Sequence, residues 1–486
     1  MLYLADPSHS ELKADHRIMK INIIGDYQLR PEYRRRFKFR KPVTYLSADT
    51  RFGNVYLNPE NISQDLGRPL DSLSLDLCEI AAYVFMADKS FKRGDYGKWT
   101  RNLSFLIPVR NPERWNSLKA ILTNTLATLS GDNLEFHFVK KSGEKTGGND
   151  LVESQTSGRS DSDCVCLFSG GLDSFAGAAY LLKQGRHPLF ASHYVSSLKS
   201  LQSNLVRGIE KEFDRKIEHF QYRVTSRTAK NTRFKFENKE SSHRARSFMF
   251  LSYAAVAAAT RGLSDIYICE NGVLSLNVPI SDARKGTRST RHAHPLFLQY
   301  FNQFINALYG RPFFVQNPFE FWTKGREAKL LGKTSLYPLI KDTVTCWGYP
   351  NQTLKYPNSN HCGYCIPCIV RRVSVKAAGL AAYDDQYVVD VFNLNVSSKE
   401  KHRRNIEDLI YFCRSFENLS KIELIYKYPE FVMADFATSN GTIDRISKAI
   451  SVYRKFAKEV LAVASSKVVP AYLASKPTGA TFLART

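Results

Sequence analysis

The sequence predicts an α/β protein built around a Rossmann-like, doubly wound parallel sheet. Short apolar segments alternate with helical ones from residue 164 to residue 269, which is typical of strand–helix units in a parallel sheet. The first apolar segment, at residues 164–168, leads directly into Ser169-Gly-Gly-Leu-Asp-Ser174, and a helical stretch to Leu182 follows. Ligands of such sheets bind beyond the carboxyl ends of the strands, so this glycine turn marks the expected site.

The chain divides into four predicted regions that differ in composition and periodicity. They are an α+β accessory domain at residues 1–141, a linker at 142–163, a nucleotide-binding domain at 164–385 and a helical, basic C-terminal extension at 386–486. The linker is rich in Gly, Ser, Asp and Thr. The elements that support this division are strands at 103–109, 134–139, 188–192 and 265–269, and helices at 75–87, 115–129, 201–213, 247–260 and 442–463.

Composition places the chain among globular proteins that accompany polyanions. Its 486 residues are 43% hydrophobic, enough for two or three domains. The net charge of +23 favours nucleotides, nucleic acid or an acidic protein as partners. The densest basic block, residues 34–41, alternates cations with Phe and is better interpreted as the solvated face of a strand than as a nucleic-acid track. No run of about 18 apolar residues occurs, so we expect a cytoplasmic protein without a membrane span.

The glycine turn has the properties of a pyrophosphate site. Gly170 and Gly171 let a ligand approach the backbone, and the helix that follows contributes its positive end. Ser169 and Ser174 add hydroxyl donors, while Asp173 suits a Mg²⁺ ion between the carboxylate and the phosphates. The predicted ATP-binding residues are Ser169, Gly170, Gly171, Leu172, Asp173 and Ser174. The Gly-x4-Gly-Lys-Ser/Thr pattern of Walker-type loops is absent from the sequence.

A second motif predicts a metal site. Cys362, Cys365 and Cys368 are spaced by three residues, and Cys346 lies upstream. Four thiolates make a closed tetrahedral zinc site, which is structural because no position stays open for water. An iron–sulfur cluster is the rival interpretation, and His361 could replace one thiol.

The other five cysteines are expected to be core residues or, in one case, a candidate for chemistry. Cys78, Cys164, Cys166 and Cys413 lie in apolar contexts. Cys269 ends a predicted strand on the ligand-binding side, although a small buried residue is the better interpretation there too.

These motifs together resemble a known family. Ser-Gly-Gly-x-Asp-Ser at 169–174 is similar to the PP-loop of ATP pyrophosphatases, which have the HUP-type fold. Thr323-Lys324, the cysteine motif and Arg371, with Arg246-Ser247 ahead of a helix, resemble the 7-cyano-7-deazaguanine synthase (QueC) family over roughly residues 160–385.

The sequence also departs from the housekeeping members of that family. Residues 192–194 read Ser-His-Tyr where those enzymes have Tyr-Gly-Gln, and Glu270-Asn-Gly replaces the usual acid-containing substrate loop. With the additional N-terminal region, the chain is most similar to the QueC-like branch of anti-phage defence islands, in particular the QatC proteins of the Qat system. The added regions imply a partner protein or a larger substrate.

The resemblance implies an ATP-dependent ligase that adenylates a carboxylate of the 7-carboxy-7-deazaguanine type and releases AMP and pyrophosphate. The acyl acceptor is ammonia, giving an amide or nitrile, or an amine of a partner protein. Lys324 is expected to stabilise charge on the transferring phosphate beside Asp173. The candidate substrate-binding residues are Arg246, Ser247, Glu270, Asn271, Asn277, Arg284, Arg288, Arg291 and His294.

Simpler roles remain open for several of these residues. The arginines could form structural ion pairs, His294 could cap a turn and the two asparagines could fix a loop. Two alternative functions also remain: a PP-loop enzyme that modifies nucleic acid, such as a tRNA thiolase using Cys269, and a non-catalytic nucleotide-binding subunit of a complex.

Overall fold

The computed structural model describes residues 20–25, 43–95, 99–141, 161–227, 232, 235–281, 291–349, 356, 359–392, 400–435 and 444–465. Most of the predicted linker, the basic block at 34–41 and the two arginines Arg284 and Arg288 lie outside these residues. Among the described residues, no helix combines the length and apolarity that crossing a bilayer requires.

The N-terminal unit contains a four-stranded sheet and the helices that cover it. Its elements are β1 (Lys20–Gly25), β2 (Val43–Leu46), β3 (Val55–Tyr56), α1 (Pro59–Leu66), α2 (Ser72–Ser90), β4 (Asn102–Val109), α3 (Pro112–Ser117), α4 (Lys119–Ser130) and β5 (Asn133–Lys140). The sequence predicts an α+β unit here, whereas the strand order β2-β1-β4-β5 is built from parallel pairings alone, as in an α/β unit. The physical reason is visible in β4, where seven of eight residues are buried, because parallel strands are covered on both faces.

The nucleotide-binding unit has the predicted doubly wound sheet. Its elements are β6 (Cys164–Leu167), α5 (Leu172–Lys183), β7 (Pro188–His193), α6 (Ser196–Phe213), β8 (His219–Tyr222), β9 (Thr225–Ser226), α7 (Arg246–Arg261), β10 (Asp265–Tyr267), α8 (Gly272–Ser275), α9 (Pro295–Tyr309), β11 (Phe314–Gln316), α10 (Lys324–Leu331) and α11 (Ile366–Ala377), with 3-10 turns at Arg291–Ala293, Tyr337–Asp342 and Ala381–Tyr383. Five strands pair in parallel in the order β11-β10-β6-β7-β8. The carboxyl ends of β6 and β7, which lie side by side, therefore form the edge that carries the predicted site.

The C-terminal region is helical, as predicted, and packs next to the site. Its helices are α12 (Glu400–Asn418), α13 (Lys421–Lys427), α14 (Glu430–Asp435) and α15 (Arg445–Ser465). The Tyr453 hydroxyl on α15 donates to the Val273 carbonyl at 2.8 Å and accepts from the Val278 amide at 3.2 Å. The extension thereby fixes the loop that follows β10.

The N-terminal unit and the nucleotide-binding unit share one hydrophobic core. Helix α2 packs along α7, and a single cluster of buried side chains continues from Ile21 to Val315. The Asp88 carboxylate at the end of α2 accepts a hydrogen bond from the Ala245 amide, just before α7, at 2.9 Å. The exact domain boundaries stay a prediction, but the two units are packed together and not merely linked in sequence.

A buried ion network lies beside this junction. The Asp132 carboxylate forms ion pairs with Arg93 Nη1 at 2.5 Å and with Arg101 Nη2 at 2.6 Å. Arg101 Nη2 also forms an ion pair with Asp88. All four side chains are almost fully buried. Burial acts to raise the pKa of Asp132, but the hydrogen bonds and charges of the two arginines outweigh it and hold that pKa below its usual value.

The network predicts a large effect of one substitution. Asp132→Asn removes the charge that neutralises Arg93 and Arg101, so we expect the free energy of unfolding to fall by about 3 to 5 kcal/mol. Urea denaturation of the full chain measures the change. Asp95→Asn is the matched control because Asp95 is exposed, and its effect should stay below about 0.5 kcal/mol. Equal effects of the two substitutions would contradict the assignment.

Candidate active site

The glycine turn connects β6 to α5 as predicted. Gly170 has φ 82°, a conformation that glycine adopts without strain, and a Cβ at this position would lie 2.9 Å from the Leu201 side chain. A Cβ on Gly171 would lie 3.2 Å from the Val344 carbonyl oxygen. Glycine is therefore favoured at position 170 by its positive φ, and an added Cβ at either position would make a tight contact.

Hydrogen bonds within the glycine turn fix its conformation. The Ser169 hydroxyl accepts from the Gly171 amide at 3.2 Å and lies 3.1 Å from the Ser174 hydroxyl, which donates to the Gly171 carbonyl at 3.0 Å. The Leu172 side chain is buried and anchors the first turn of α5 in the core. The amides at the start of α5 and the two hydroxyls face the same edge of the sheet, which suits an anion.

Lys324 and Asp173 form a buried ion pair. Lys324 is the first residue of α10, which the Thr323 hydroxyl caps, and its ammonium donates to both carboxylate oxygens of Asp173. Burial acts to raise the pKa of Asp173, but the ammonium outweighs it and lowers that pKa well below the usual range. Burial likewise acts to lower the pKa of Lys324, and the Asp173 charge raises it above the usual value. Both groups are therefore charged at neutral pH.

Two further carboxyl groups surround this pair. Glu327 is completely buried, and its side chain forms a hydrogen bond with Asp173 that helps to lower the pKa of Asp173. Burial and the nearby charge of Asp173 raise the pKa of Glu327. The same two causes raise the pKa of Glu270, whose carboxylate lies 2.6 Å from His292 Nε2. Three carboxyl groups around one ammonium require bound protons or a cation, and oxygen donors are those that Mg²⁺ prefers.

The sequence predicts Glu270 as a site residue but not Glu327 or His292. Glu327 lies three residues after Lys324 on α10, so the two side chains share one face of the helix. That spacing is the signal that could have identified Glu327. His292 has no comparable signal, because its proximity to Glu270 depends on the fold.

The predicted substrate residues are placed in different ways. Arg246 and Ser247 begin α7, and the charge of Glu270 acts on Arg246. Asn271 is fully buried: its side-chain oxygen accepts from the Leu274 amide and its side-chain nitrogen donates to Glu270 at 3.0 Å. Asn271 therefore orders the loop and orients Glu270.

Three other predicted residues have structural contacts. Arg291 is buried and donates to the Thr128 carbonyl of the N-terminal unit at 3.5 Å. His294 caps α9 by accepting from the Leu296 amide, and burial together with Arg291 lowers its pKa to about 3, so it is neutral at physiological pH. Asn277 has φ 53°, in the left-handed region that asparagine tolerates.

The four cysteines of the second motif come together as predicted. The Sγ atoms of Cys346, Cys362, Cys365 and Cys368 all lie within 4.8 Å of one another and are buried. Backbone amides of Gly348 and Cys365 donate to Cys346 Sγ and Cys362 Sγ at 3.3 and 3.4 Å. Four converging sulfur donors fit a zinc ion, and the iron–sulfur alternative stays open.

His361 does not belong to this set of ligands. Its Nε2 accepts from the Thr345 amide at 3.2 Å, and its Nδ1 bonds to Asp385 at 2.7 Å. Both ring nitrogens are therefore engaged in positioning the segment around Cys346.

Hydrogen bonds connect the segment that ends in Cys346 to the glycine turn. The fully buried Arg371 donates to the carbonyls of Ile340 and Thr343 at 2.6 and 3.0 Å. The next residue, Val344, donates its amide to the Gly170 carbonyl at 3.0 Å. The segment that ends in Cys346 thus supports the wall of the turn.

The remaining cysteines are buried, which confirms the prediction for Cys78, Cys164, Cys166 and Cys413. Cys269 is buried too and packs so closely on α5 that a Cβ on Gly177 would lie 2.3 Å from its Sγ. A hydrogen bond with Cys166, burial and neighbouring charges raise the pKa of Cys269 well above its usual value. A thiol in this state is a poor nucleophile, because the thiolate is the reactive form.

We expect purified protein to carry about one zinc ion per chain at the four cysteines. Cys365→Ser should lose the metal and lower the midpoint of thermal unfolding, because a structural metal contributes to folding free energy. Metal analysis by mass spectrometry gives the content. Cys413→Ala, in the core of the C-terminal helices, is the control and should keep the metal. Iron with visible absorbance, or no metal, would contradict the zinc assignment.

Gly170→Ala should abolish measurable ATP binding. The alanine would have to adopt the left-handed φ of Gly170, and its Cβ would lie 2.9 Å from the Leu201 side chain. Gly185→Ala is the matched control: Gly185 has φ 75° at the end of α5, but nothing lies within 4 Å of an added Cβ. Calorimetric ATP titration compares the two variants. Loss of ATP binding in both would show that backbone strain alone is responsible.

Comparison with known families agrees with this geometry. Residues 163–379 match the model of the family described as queuosine biosynthesis protein QueC. A search of curated proteins finds no match. The matched range includes the glycine turn, Lys324 and the four cysteines, and leaves out the N-terminal unit and helices α12 to α15. Residues 163–379 therefore contain a QueC-like domain, and this likeness supports an ATP-dependent PP-loop enzyme related to 7-cyano-7-deazaguanine synthesis.

Proposed function

We propose that this protein is an ATP-dependent enzyme that adenylates the carboxylate of a 7-carboxy-7-deazaguanine-type acid. The observation that supports the proposal most directly is the buried Lys324–Asp173 pair beside an intact PP-loop within a QueC-like domain. Burying charged groups so deeply costs free energy, and buried groups with strongly shifted pKa values in a cleft or loop are typical of binding and catalytic sites.

The proposed reaction follows from the chemistry of carboxylates. A carboxylate is a poor acyl donor because its leaving group is oxide. In the first step a carboxylate oxygen attacks the α-phosphorus of ATP, the bond from that phosphorus to the bridging oxygen breaks, and pyrophosphate leaves into the loop at Ser169–Ser174. In the second step a nitrogen nucleophile attacks the acyl carbon and AMP leaves. Lys324 would stabilise the charge that develops on the α-phosphate.

Asp173, Glu270 and Glu327 would hold Mg²⁺. The excess of carboxyl groups over cations around Lys324 supports this assignment. The ion would supply charge neutralisation for the phosphates. The Lys324 ammonium, which donates to Asp173, keeps that carboxylate ionised and so available to a cation.

We place the enzyme in anti-phage defence in the cytoplasm, as a relative of the QatC proteins. The sequence departures at residues 192–194 and at Glu270–Gly272 support this placement, as do the regions that the QueC model leaves out. The acceptor would be ammonia or an amine of a partner protein encoded nearby. The added regions provide surface for such a partner.

Modification of nucleic acid is the second candidate, and the net charge of +23 favours it. A sulfur-transfer version needs a reactive thiol besides the four clustered ones. Cys269 is the residue in question, and its burial and raised pKa weigh against that role.

The test is ATP turnover with AMP and pyrophosphate resolved, in the presence and absence of 7-carboxy-7-deazaguanine and of ammonia. We expect both products only when the acid is present. Asp173→Asn should reduce AMP formation about a hundredfold or more, because the carboxylate that would hold Mg²⁺ against the reacting phosphates is removed.

The control variant is Asp214→Asn at the end of α6, which should leave the rate unchanged. Asp214 is exposed and has φ 43°, a conformation that asparagine accepts. An equal rate of ATP turnover with and without the acid would contradict the proposal. Formation of AMP without ammonia would point to an amine of a protein as the acceptor.

A further inference from the structure

Helix α15 packs on the two loops that lead into the candidate site. One loop follows β10 and contains Glu270, and the other follows β11 and ends at Lys324. The Tyr453 hydroxyl of α15 bonds to the backbone of the first loop, and Arg445 forms an ion pair with Glu320 in the second. Helix α15 lies outside the range that the QueC model matches, so these contacts come from the C-terminal extension.

The two loops also contact each other next to α15. The Gly272 amide in the first loop donates to the Trp322 carbonyl in the second at 2.8 Å. A Cβ on Gly272 would lie 2.2 Å from the Glu320 carbonyl oxygen and 3.2 Å from the Val452 side chain on α15. The helix and both loops are therefore in van der Waals contact at one point.

The contact of α15 that lies nearest to Lys324 in the chain is made by Glu459. The Thr323 hydroxyl donates to Glu459 Oε1 at 2.7 Å and accepts from the Arg326 amide at 3.2 Å. A hydroxyl has a single proton, so donation of that proton to Glu459 directs the oxygen lone pairs towards the amide. The Glu459 carboxylate therefore fixes the orientation of the hydroxyl that caps α10.

The position of Lys324 depends on this cap. Lys324 follows Thr323 directly and is the first residue of α10. Its side chain is almost fully buried, and its ammonium donates to Asp173. Because the cap determines where the first turn of the helix begins, a shift of Thr323 would shift the backbone of Lys324 with it.

The Glu459 carboxyl group packs directly against the start of α10. A Cβ on Gly325 would lie 2.6 Å from Glu459 Oε1 and 2.7 Å from Oε2. Oε2 is buried and has no hydrogen-bond partner in the part of the chain that the structure describes. Burial of a carboxyl group that makes so few hydrogen bonds costs free energy, so an apolar side chain of similar size should be tolerated there.

We propose that Glu459 is a positioning residue for Lys324 and acts through the Thr323 hydroxyl, so that helix α15 completes the candidate active site. The inference rests on the proposed function for the role of Lys324 at the α-phosphate of ATP. It assigns part of the geometry of the reaction to residues that the QueC model leaves out.

The test is the rate of acid-dependent AMP formation by full-length Glu459→Leu at saturating ATP. We expect kcat to fall about tenfold or more, because a misplaced ammonium stabilises the transferring phosphate less well. The midpoint of thermal unfolding should not fall, because leucine avoids the cost of burying a carboxyl group. An unchanged kcat per folded molecule overturns the inference, whatever happens to the midpoint.

Three further variants separate positioning from other effects. Glu459→Gln should keep most of the rate, because its side-chain oxygen still accepts from Thr323. Thr323→Val should lower the rate as Glu459→Leu does, and the double variant should be no slower than Thr323→Val alone. Losses that multiply in the double variant overturn the route through Thr323. Glu417→Leu on α12 is the matched control, because Glu417 is exposed, and it should react as wild type does.

Titration of the same variants with α,β-methylene ATP, without the acid, distinguishes this inference from the proposed function. Glu459→Leu should bind the analogue about fivefold more weakly, because a hydrogen bond between charged groups is lengthened. If wild type binds the analogue but forms no AMP, adenylation is contradicted; weaker binding by Glu459→Leu then still supports the positioning role, and equal binding overturns it. Acid-dependent AMP formation at equal rates in wild type and Glu459→Leu leaves adenylation in place and overturns the positioning role. A wild type that does not bind the analogue overturns both.

Discussion

The buried ammonium of Lys324 is the charge around which the carboxyl groups of the candidate site are arranged. Asp173, Glu270 and Glu327 come from three different elements and would repel one another without it. With one ammonium between them, Asp173 stays ionised while the pKa values of the two glutamates rise. The site therefore keeps one ionised carboxylate without requiring three full negative charges in the interior.

The surrounding structure supports the Lys324–Asp173 pair from two sides. The Thr323 hydroxyl, which caps α10, donates to the Glu459 carboxylate on α15 at 2.7 Å. A Cβ on Gly325 would lie 2.6 Å from Glu459, so glycine permits this approach. On the opposite side, Arg371 and Val344 connect the cysteine site to the PP-loop. The C-terminal helices and the cysteine site thus both stabilise the region around the Lys324–Asp173 pair.

Much of this arrangement follows from local sequence, and the reason is physical. The central strands were predictable because their residues are apolar on both faces, whereas the edge strands β8 and β11 alternate in burial and are four and three residues long. The PP-loop and three of the cysteines are contiguous motifs, so their geometry is encoded locally. His292 reaches the site only through the packing of distant segments, and a linear pattern does not contain that information, whereas the spacing of Glu327 from Lys324 on α10 does signal Glu327.

The N-terminal unit is packed firmly on the nucleotide-binding unit and not joined to it by a flexible tether. The continuous core between α2 and α7 and the hydrogen bond from the Ala245 amide to Asp88 hold the two units together. The buried arginines beside Asp88 neutralise its charge at this junction. The residues that the QueC model leaves out therefore contribute to the same folded core as the QueC-like domain.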